Sequence, residues 1–546
     1  MGVTVGGPGK HWEASRRILQ TGPSAPIEND GLATPPRDEL HYNTAAWGKT
    51  EKIGKDELIL HRNTGLTLVA LLCLFGAGCV DYDNLPKKEE KFTLPFDGQR
   101  VGIAVPEGFD FPASWRGSLT EWSAQTGAAL SLSEYDSSDS RVVEAQFSPS
   151  STETLIVFPL EDLGTLIDQG VIAEIPRSLQ SANAINWTDL MPGLRDGVAS
   201  PGKRPGVVPL SCPVLVCYYR QDLLDRANLQ PPETWDDYQR LLDTLAEWAP
   251  GLTAVEPLGP EFLATAFLSR AVSLAKHPGH YSVFFDLETA APQIDGPAFV
   301  RSLEKARNAW SRLAPDSRSL SPEECRRRVL RGEAAIAIAM EPPGAETSDS
   351  VYASLRAKEI SVGVCRLPGS LELYNSTRKA WEPARDQKVN HVTLVGFSGF
   401  GVSASSRRDE GEVLAAWHAV SQIGSRGFAS GFPAGTTGIC RESQLADVMS
   451  VLRSGLEGGE AGLYLDAVSA SLRDSQVVSE LLVPRRREFR EKLTSALTSV
   501  LDDGVAPEAA LAAAAKEWQA IIDDIGLSRM KSAHRAGLGL NPSSGL

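Results

Sequence analysis

The chain is short of basic residues: 54 lysines and arginines stand against 69 acids, for a net charge of −15 over 546 residues. Nucleic acid is held by a basic surface, so that class of partner is disfavoured and none is expected. Cysteine is also scarce. The seven, at 73, 79, 212, 217, 325, 365 and 440, do not make a complete disulfide framework. No Gly-x-Ser-x-Gly elbow occurs, which leaves serine hydrolase chemistry without its motif. Gly399-Phe400-Gly401 lacks the third glycine and the Lys-Ser/Thr ending of a phosphate cradle. His277 and His280 are the one close histidine pair. Pro278 and Gly279 between them argue for a loop, and no nearby carboxylate or cysteine completes a metal site. No metal or cofactor is expected. The chain has no internal repeat, and its 42% hydrophobic content is enough for globular folding in more than one lobe.

Residues 1–61 lack sustained periodicity and read as disordered. After Arg62, Asn63–Cys79 is uncharged and apolar, but shorter than the about 20 residues of a transmembrane helix. It ends Gly76-Ala77-Gly78-Cys79, small residues before a cysteine, as secretory signals do before cleavage. This ending resembles a bacterial lipobox, although Gly76 stands where leucine is usual. The resemblance implies that Cys79 carries a lipid, that residues 1–78 are removed and that the protein sits on a membrane in the cell envelope. An uncleaved membrane anchor is the alternative. Residues 79–96, with a Lys-Lys-Glu-Glu-Lys run, read as a solvated tether.

The most informative stretch is Val207–Trp248. A β-branched and aromatic run, Val214–Tyr219, predicts a strand. A polar helix follows around Asp222–Ala227, and Pro231-Pro232 stops it. Thr234 and Asp237 form a helix-start signal. Beyond it Tyr238, Leu241, Leu242, Leu245 and Trp248 share one helical face. Upstream, Arg100–Val105 and Thr154–Phe158 predict strands, each followed by a helix, which argues for a mainly parallel α/β lobe.

Downstream, Phe262–Lys276, Pro297–Leu313 and a Ser321-capped segment predict helices, and Ala334–Met340 a strand. Val392–Ser403 reads as a glycine-interrupted strand pair. Arg487–Leu501 and Pro507–Ile525 read as helices.

The ordered combination of a strand, Tyr-Tyr-Arg-x-Asp-Leu-Leu and Pro-Pro-x-Thr-Trp-Asp-Asp-Tyr resembles extracellular solute-binding proteins of carbohydrate-importing ABC systems. Gly-Glu-Ala-Ala at 332–335 and the Pro-Glu-x-Ala-Leu…Glu-Trp…Ile-Ile run at 507–522 resemble the same family. The resemblance implies an α/β, two-lobed periplasmic-binding-protein-like fold with hinge strands near Pro209–Pro213 and Val364–Gly369. Lobe 1 is expected at 97–210 and 366–425, and lobe 2 at 211–365 with parts of 426–526. Residues 527–546 are expected to be a flexible tail. It also implies a monomer that binds a small solute, a sugar or oligosaccharide, for an ABC permease, and that is not an enzyme. An envelope glycosidase and a ligand-sensing lipoprotein remain as alternatives.

Sugar sites need aromatic faces and planar polar groups, placed in loops that follow strands. The candidates are Tyr135 and Asp136 ahead of the second strand, Phe158 at its end and Ser211 in the first crossing. Glu341 follows the lobe 2 strand, Phe397 and Ser398 interrupt the strand pair, and Phe432 and Arg441 flank a glycine-rich loop. Five cysteines remain beyond Cys79. Cys212 and Cys217, set in apolar runs, read as buried thiols or as a pair across a bend.

Overall fold

The computed structural model describes residues 94–109, 112–340, 359–430, 438–446, 458–474 and 476–540. Along the chain the strands are β1 (Arg100–Pro106), β2 (Ala129–Tyr135), β3 (Leu155–Pro159), β4 (Val208–Ser211), β5 (Val216–Arg220), β6 (Thr253–Val255), β7 (Ala334–Ala339), β8 (Val362–Arg366), β9 (Glu372–Asn375), β10 (Ala380–Pro383), β11 (Thr393–Val395), β12 (Phe400–Ala404) and β13 (Val477–Ser479).

Two sheets define two lobes. The first has the order β2-β1-β3-β12-β4, with β1 parallel to both β2 and β3 and β12 antiparallel to its two neighbours. The second has the order β6-β7-β5-β8, in which only β6 and β7 run parallel. Each sheet is covered by helices that bury apolar stripes. In lobe 1, Ala113–Thr126 and Glu410–Ser430 pack against each other and bury Trp115, Trp122 and Trp417. In lobe 2, Leu263–Ala275 is apolar on nearly every side and every residue through Leu274 is buried, as in a helix walled in on all sides. Among the described residues, no helix is long and apolar enough to cross a membrane.

The helix starts follow from local chemistry. The Thr234 hydroxyl accepts from the Asp237 amide while the Asp237 carboxylate accepts from the Thr234 amide, a complete capping box. A cap of this kind contributes about 1 kcal/mol. Ser321 caps Pro322–Leu330 by the hydroxyl half of this arrangement alone, accepting from the Glu324 amide. The helix after Thr234 is broken at Thr244 into Trp235–Asp243 and Leu245–Trp248, yet Tyr238, Leu241, Leu242 and Trp248 stay buried on one side.

The chain leaves β4 at Ser211 and enters β5 at Val216, so Cys212–Leu215 is a crossing between lobes. The return does not run through 364–369. Val362–Arg366 is the edge strand of the second sheet, paired antiparallel with β5. The turn after it docks on the start of a lobe 2 helix: the Gly369 amide donates to Glu233 O at 2.9 Å, and the Trp235 amide to Gly369 O at 3.0 Å. Residues 366–392 therefore stay with lobe 2, and the return is the segment 396–399 between β11 and β12. Those two strands are not a pair. β11 pairs with β13, while β12 inserts between β3 and β4. Gly399 is required at this return. Its φ is +99°, and a β-carbon there would meet Ser211 O at 2.2 Å, a conformation and a contact that only glycine accommodates.

The C-terminal segment also departs from expectation. Leu527–Gly537 is a helix rather than a loose tail, because Met530, Ala533 and His534 are buried. It packs on Leu163–Gln169 of lobe 1 and on the end of Pro507–Ile525. Arg529 pairs with Asp168 at 2.5 Å across that contact. One core cluster covers lobe 2, another lobe 1, and a third runs from Phe158 and Ile156 through Cys212, Val214 and Cys440 into Tyr218 and Val255.

Candidate functional site

Three of the lobe 1 loops that follow parallel strands open into one cleft: Glu107 after β1, Asp136–Ser138 after β2, and Pro159 and Glu161 at the end of β3. Lobe 2 faces them with Pro260–Phe262 and Thr265 beyond β6, and with Arg487, Arg490, Glu491, Thr494 and Ser495 of the helix Arg486–Asp502. The return segment contributes Phe397–Phe400. The cleft holds about 1070 Å³, ample for a small or oligomeric solute. Open α/β sheets bind ligands beyond the carboxyl ends of their strands, and this cleft lies there in both lobes.

The wall is held by an arginine cluster. Glu480 is fully buried and pairs with Arg486 at 3.1 Å and with Arg490. Burial alone would raise the Glu480 carboxyl, but Arg490 and Arg486 outweigh it and hold the group below the usual carboxylate value. Arg486 reaches across to Glu161 at 3.2 Å. Arg490 donates to the Thr265 hydroxyl at 2.9 Å and to Glu261 O at 2.7 Å. Arg487, on the same helix, ties the lobe 1 loop by donating to Ser137 O at 3.2 Å, to Ser138 O and to Asp162 at 3.1 Å. Asp162 is raised chiefly by its burial, against the pull of Ser140 and Arg487.

A smaller cavity of about 420 Å³ is lined by Tyr281, Phe284, Val477, Leu482 and His534. None of the loops following β1, β2, β3 or β6 contributes to it.

No family model matches the chain. An uncharacterized ABC transporter extracellular-binding protein of Pyrococcus horikoshii is 35% identical over 72 residues, which is 13% of this chain and 17% of that protein's length. Solved structures extend the likeness to most of the chain. The sugar-binding protein MalE of Xanthomonas citri aligns with a TM-score of 0.57 at 14% identity, over 78% of this chain and 98% of its own. A solute-binding protein of Agrobacterium radiobacter in complex with ribitol gives 0.54 at 19% identity, over 78% and 100%. The chain has the two-lobed fold of ABC-transporter solute-binding proteins. Maltose-bound MalE3 of T. maritima shares it, with a TM-score of 0.53 at 14% identity over 77% and 99%.

Within this solute-binding-protein fold the expected residues divide. Asp136, Phe397 and Ser398 line the cleft. Asp136 is exposed and accepts from the Ser138 amide at 2.9 Å. Phe397 is 6% exposed and Ser398 half-buried. Tyr135 is not in a loop: it ends β2, where alternating Leu-Ser-Leu-Ser marks an edge strand, and its buried hydroxyl donates to Val157 O at 2.6 Å. Phe158 is wholly buried and meets Phe147 edge-on. Ser211 is buried and accepts from the Phe400 amide at 3.0 Å, fastening the two crossings together. Arg441 is buried at 1% exposure, donating to Ile185 O at 3.0 Å and facing Asp189 at 3.5 Å. These four hold the structure and do not line the cleft. Glu341, Phe432 and Cys79 lie outside the described residues.

His277 does find a carboxylate, Glu382 at 3.3 Å across to β10. Among the described residues, no group of three or more His, Cys, Asp or Glu side chains is placed to hold a metal.

The cleft residues missed from sequence are mainly Glu161, Glu261, Thr265, Arg487 and Arg490. One signal was present. Arg485, Arg486 and Arg487 crowd the first turn of a helix, the end where the macrodipole disfavours cations. Such a run calls for acids brought from elsewhere, which Glu161, Asp162 and Glu480 supply.

Proposed function

We propose that the chain is an extracytoplasmic receptor that captures a small polyhydroxylated solute, a sugar or polyol, in this cleft and delivers it to an ABC permease. The observation that carries the reading is the convergence of strand-following loops from both lobes on one cleft of about 1070 Å³. The three similar structures support the solute class, being a sugar-binding protein, a ribitol complex and a maltose complex. Phe262, Phe397 and Phe400 supply apolar faces for a sugar ring, and Asp136, Ser138, Thr494 and Arg487 supply groups that bond hydroxyls.

Calorimetric titration with a panel of sugars and sugar alcohols tests this. Reversible binding without turnover is expected. Phe397→Ala should then weaken the binding sugar by about 1–3 kcal/mol. Parental affinity in a correctly folded Phe397→Ala protein would remove that residue from the site.

Five carboxylates, Glu107, Asp136, Glu161, Glu261 and Glu491, face the same cleft, and they are what a glycosidase reading would use. Release of a reducing sugar by the purified protein would favour the enzyme.

The lipobox resemblance adds an anchor to the proposal, with a lipid on Cys79 holding the receptor on a membrane. Mass spectrometry of detergent-extracted protein should find an acylated N-terminal Cys79. An intact 1–78 segment on that material would overturn the lipid anchor and leave the cleft untouched.

A further inference from the structure

In the antiparallel register of β5 and β8, Cys217 stands directly opposite Cys365. Opposed residues of an antiparallel pair project from the same face with Cα atoms about 4.5–5.5 Å apart. A disulfide spans Cα separations of about 4.4–6.8 Å. The two thiols differ in access. Cys217 is wholly buried, while Cys365 is half-buried and borders a surface groove of about 800 Å³ beside Pro231, Pro232 and Leu241. Burial, and then the neighbouring Cys365 thiol, push the Cys217 thiol well up. Cys212 and Cys440 also lie near each other, but both are buried where the chain crosses between lobes, and Cys325 is buried in the helix Pro322–Leu330. Cys365 alone of the five is reachable from a groove.

We propose that Cys217 and Cys365 are a dithiol–disulfide pair that closes across the second sheet under oxidising conditions. The oxidant is a disulfide, either a small molecule or an exchange protein, entering by the groove. The Cys365 thiolate attacks one sulfur of that disulfide, forming a mixed disulfide and releasing the other half as a thiol. The Cys217 thiolate then attacks the Cys365 sulfur and expels the second half as a thiol. The pair gives up two electrons and two protons, and the oxidant gains both. The cross-link ties edge strand β8 to β5, the strand that receives the first crossing. It also closes a long loop, which constrains the unfolded chain and stabilises the second lobe. Nothing in this pair depends on which solute the cleft takes.

The test uses the purified full-length protein, treated with oxidised glutathione, alkylated and digested for peptide mapping. The expected result is a peptide linked through Cys217 and Cys365, two fewer alkylatable thiols and a raised thermal midpoint, all reversed by dithiothreitol. Cys365→Ser should abolish the link, and Cys212→Ser should leave it intact. A lasting glutathione adduct on Cys365, a Cys212–Cys440 link in its place, or an unchanged thiol count would each overturn the proposal.

Discussion

Glu480→Ala is expected to destabilise the protein by about 3–5 kcal/mol, the cost of breaking a buried ion pair from one side. Glu480 is fully buried and answers two guanidinium groups, Arg486 at 2% and Arg490 at 14% side-chain exposure. Alanine leaves Arg486 with the partly exposed Glu161 and the Phe397 carbonyl at 3.5 Å as its remaining partners. A buried cation so weakly compensated is the expensive outcome, whereas removing both charges is far milder. Urea unfolding of Glu480→Ala should therefore show the large loss, and Glu480→Leu combined with Arg486→Met and Arg490→Met, which removes all three charges, a smaller one. Equal losses in the two proteins would show that packing, and not stranded charge, sets the cost. The same cluster positions Arg490 on Thr265 and Glu261 at the cleft, so solute affinity should fall alongside stability in Glu480→Ala.

The sequence was most legible where local chemistry and burial agree. The Thr234–Asp237 box, the Ser321 cap and the buried face through Tyr238 and Leu242 each appear as read. Pro507–Ile525 forms over the range its periodicity predicts, with Leu511, Trp518 and Ile522 buried. Legibility failed where the deciding partner is distant in sequence. β11 and β12 are adjacent apolar runs separated by glycines, which a hairpin explains locally. Their true partners are 477–479 on one side and 155–159 and 208–211 on the other. Two of the aromatic candidates failed for a related reason. Tyr135 and Phe158 end strands, but they point into the core, and a strand-end position alone does not say which face a side chain takes. Asp136 and Ser398 reach the cleft because each follows a strand that ends there. Arg487 was hidden because its acids, Glu161 and Asp162, come from a distant part of the chain, and Arg490 because the cleft groups it holds, Thr265 and the Glu261 carbonyl, do too.

Acid should destabilise this protein well before its carboxylates titrate, and His534 is the group expected to do it. Burial, and to a lesser degree the charge of Arg535, outweigh the pull of Asp286 and push the imidazole down to about 4. The ring sits on the C-terminal helix against the Ser282 hydroxyl at 2.9 Å and edge-on to Phe285. In the unfolded chain a histidine titrates near 6.5. Between about pH 6.5 and 4 the unfolded state holds a proton that the folded state refuses, so stability falls as pH falls through that window and levels off below it. Roughly two and a half units of difference correspond to about 3 kcal/mol at full effect. At pH 7 both states are neutral there and the group costs nothing. Urea midpoints from pH 7 to 4 should decline in the parent and decline less in His534→Gln, and the difference between the two curves isolates this residue from the other histidines. The loss has a natural ceiling. If releasing the helix Leu527–Gly537 from Leu163–Gln169 costs less than 3 kcal/mol, the helix undocks first and its amides exchange rapidly while the lobes stay protected. Superimposable parent and His534→Gln profiles, with that helix equally protected at pH 7 and pH 5, would show that His534 accepts its proton in the folded state and is not held down by burial.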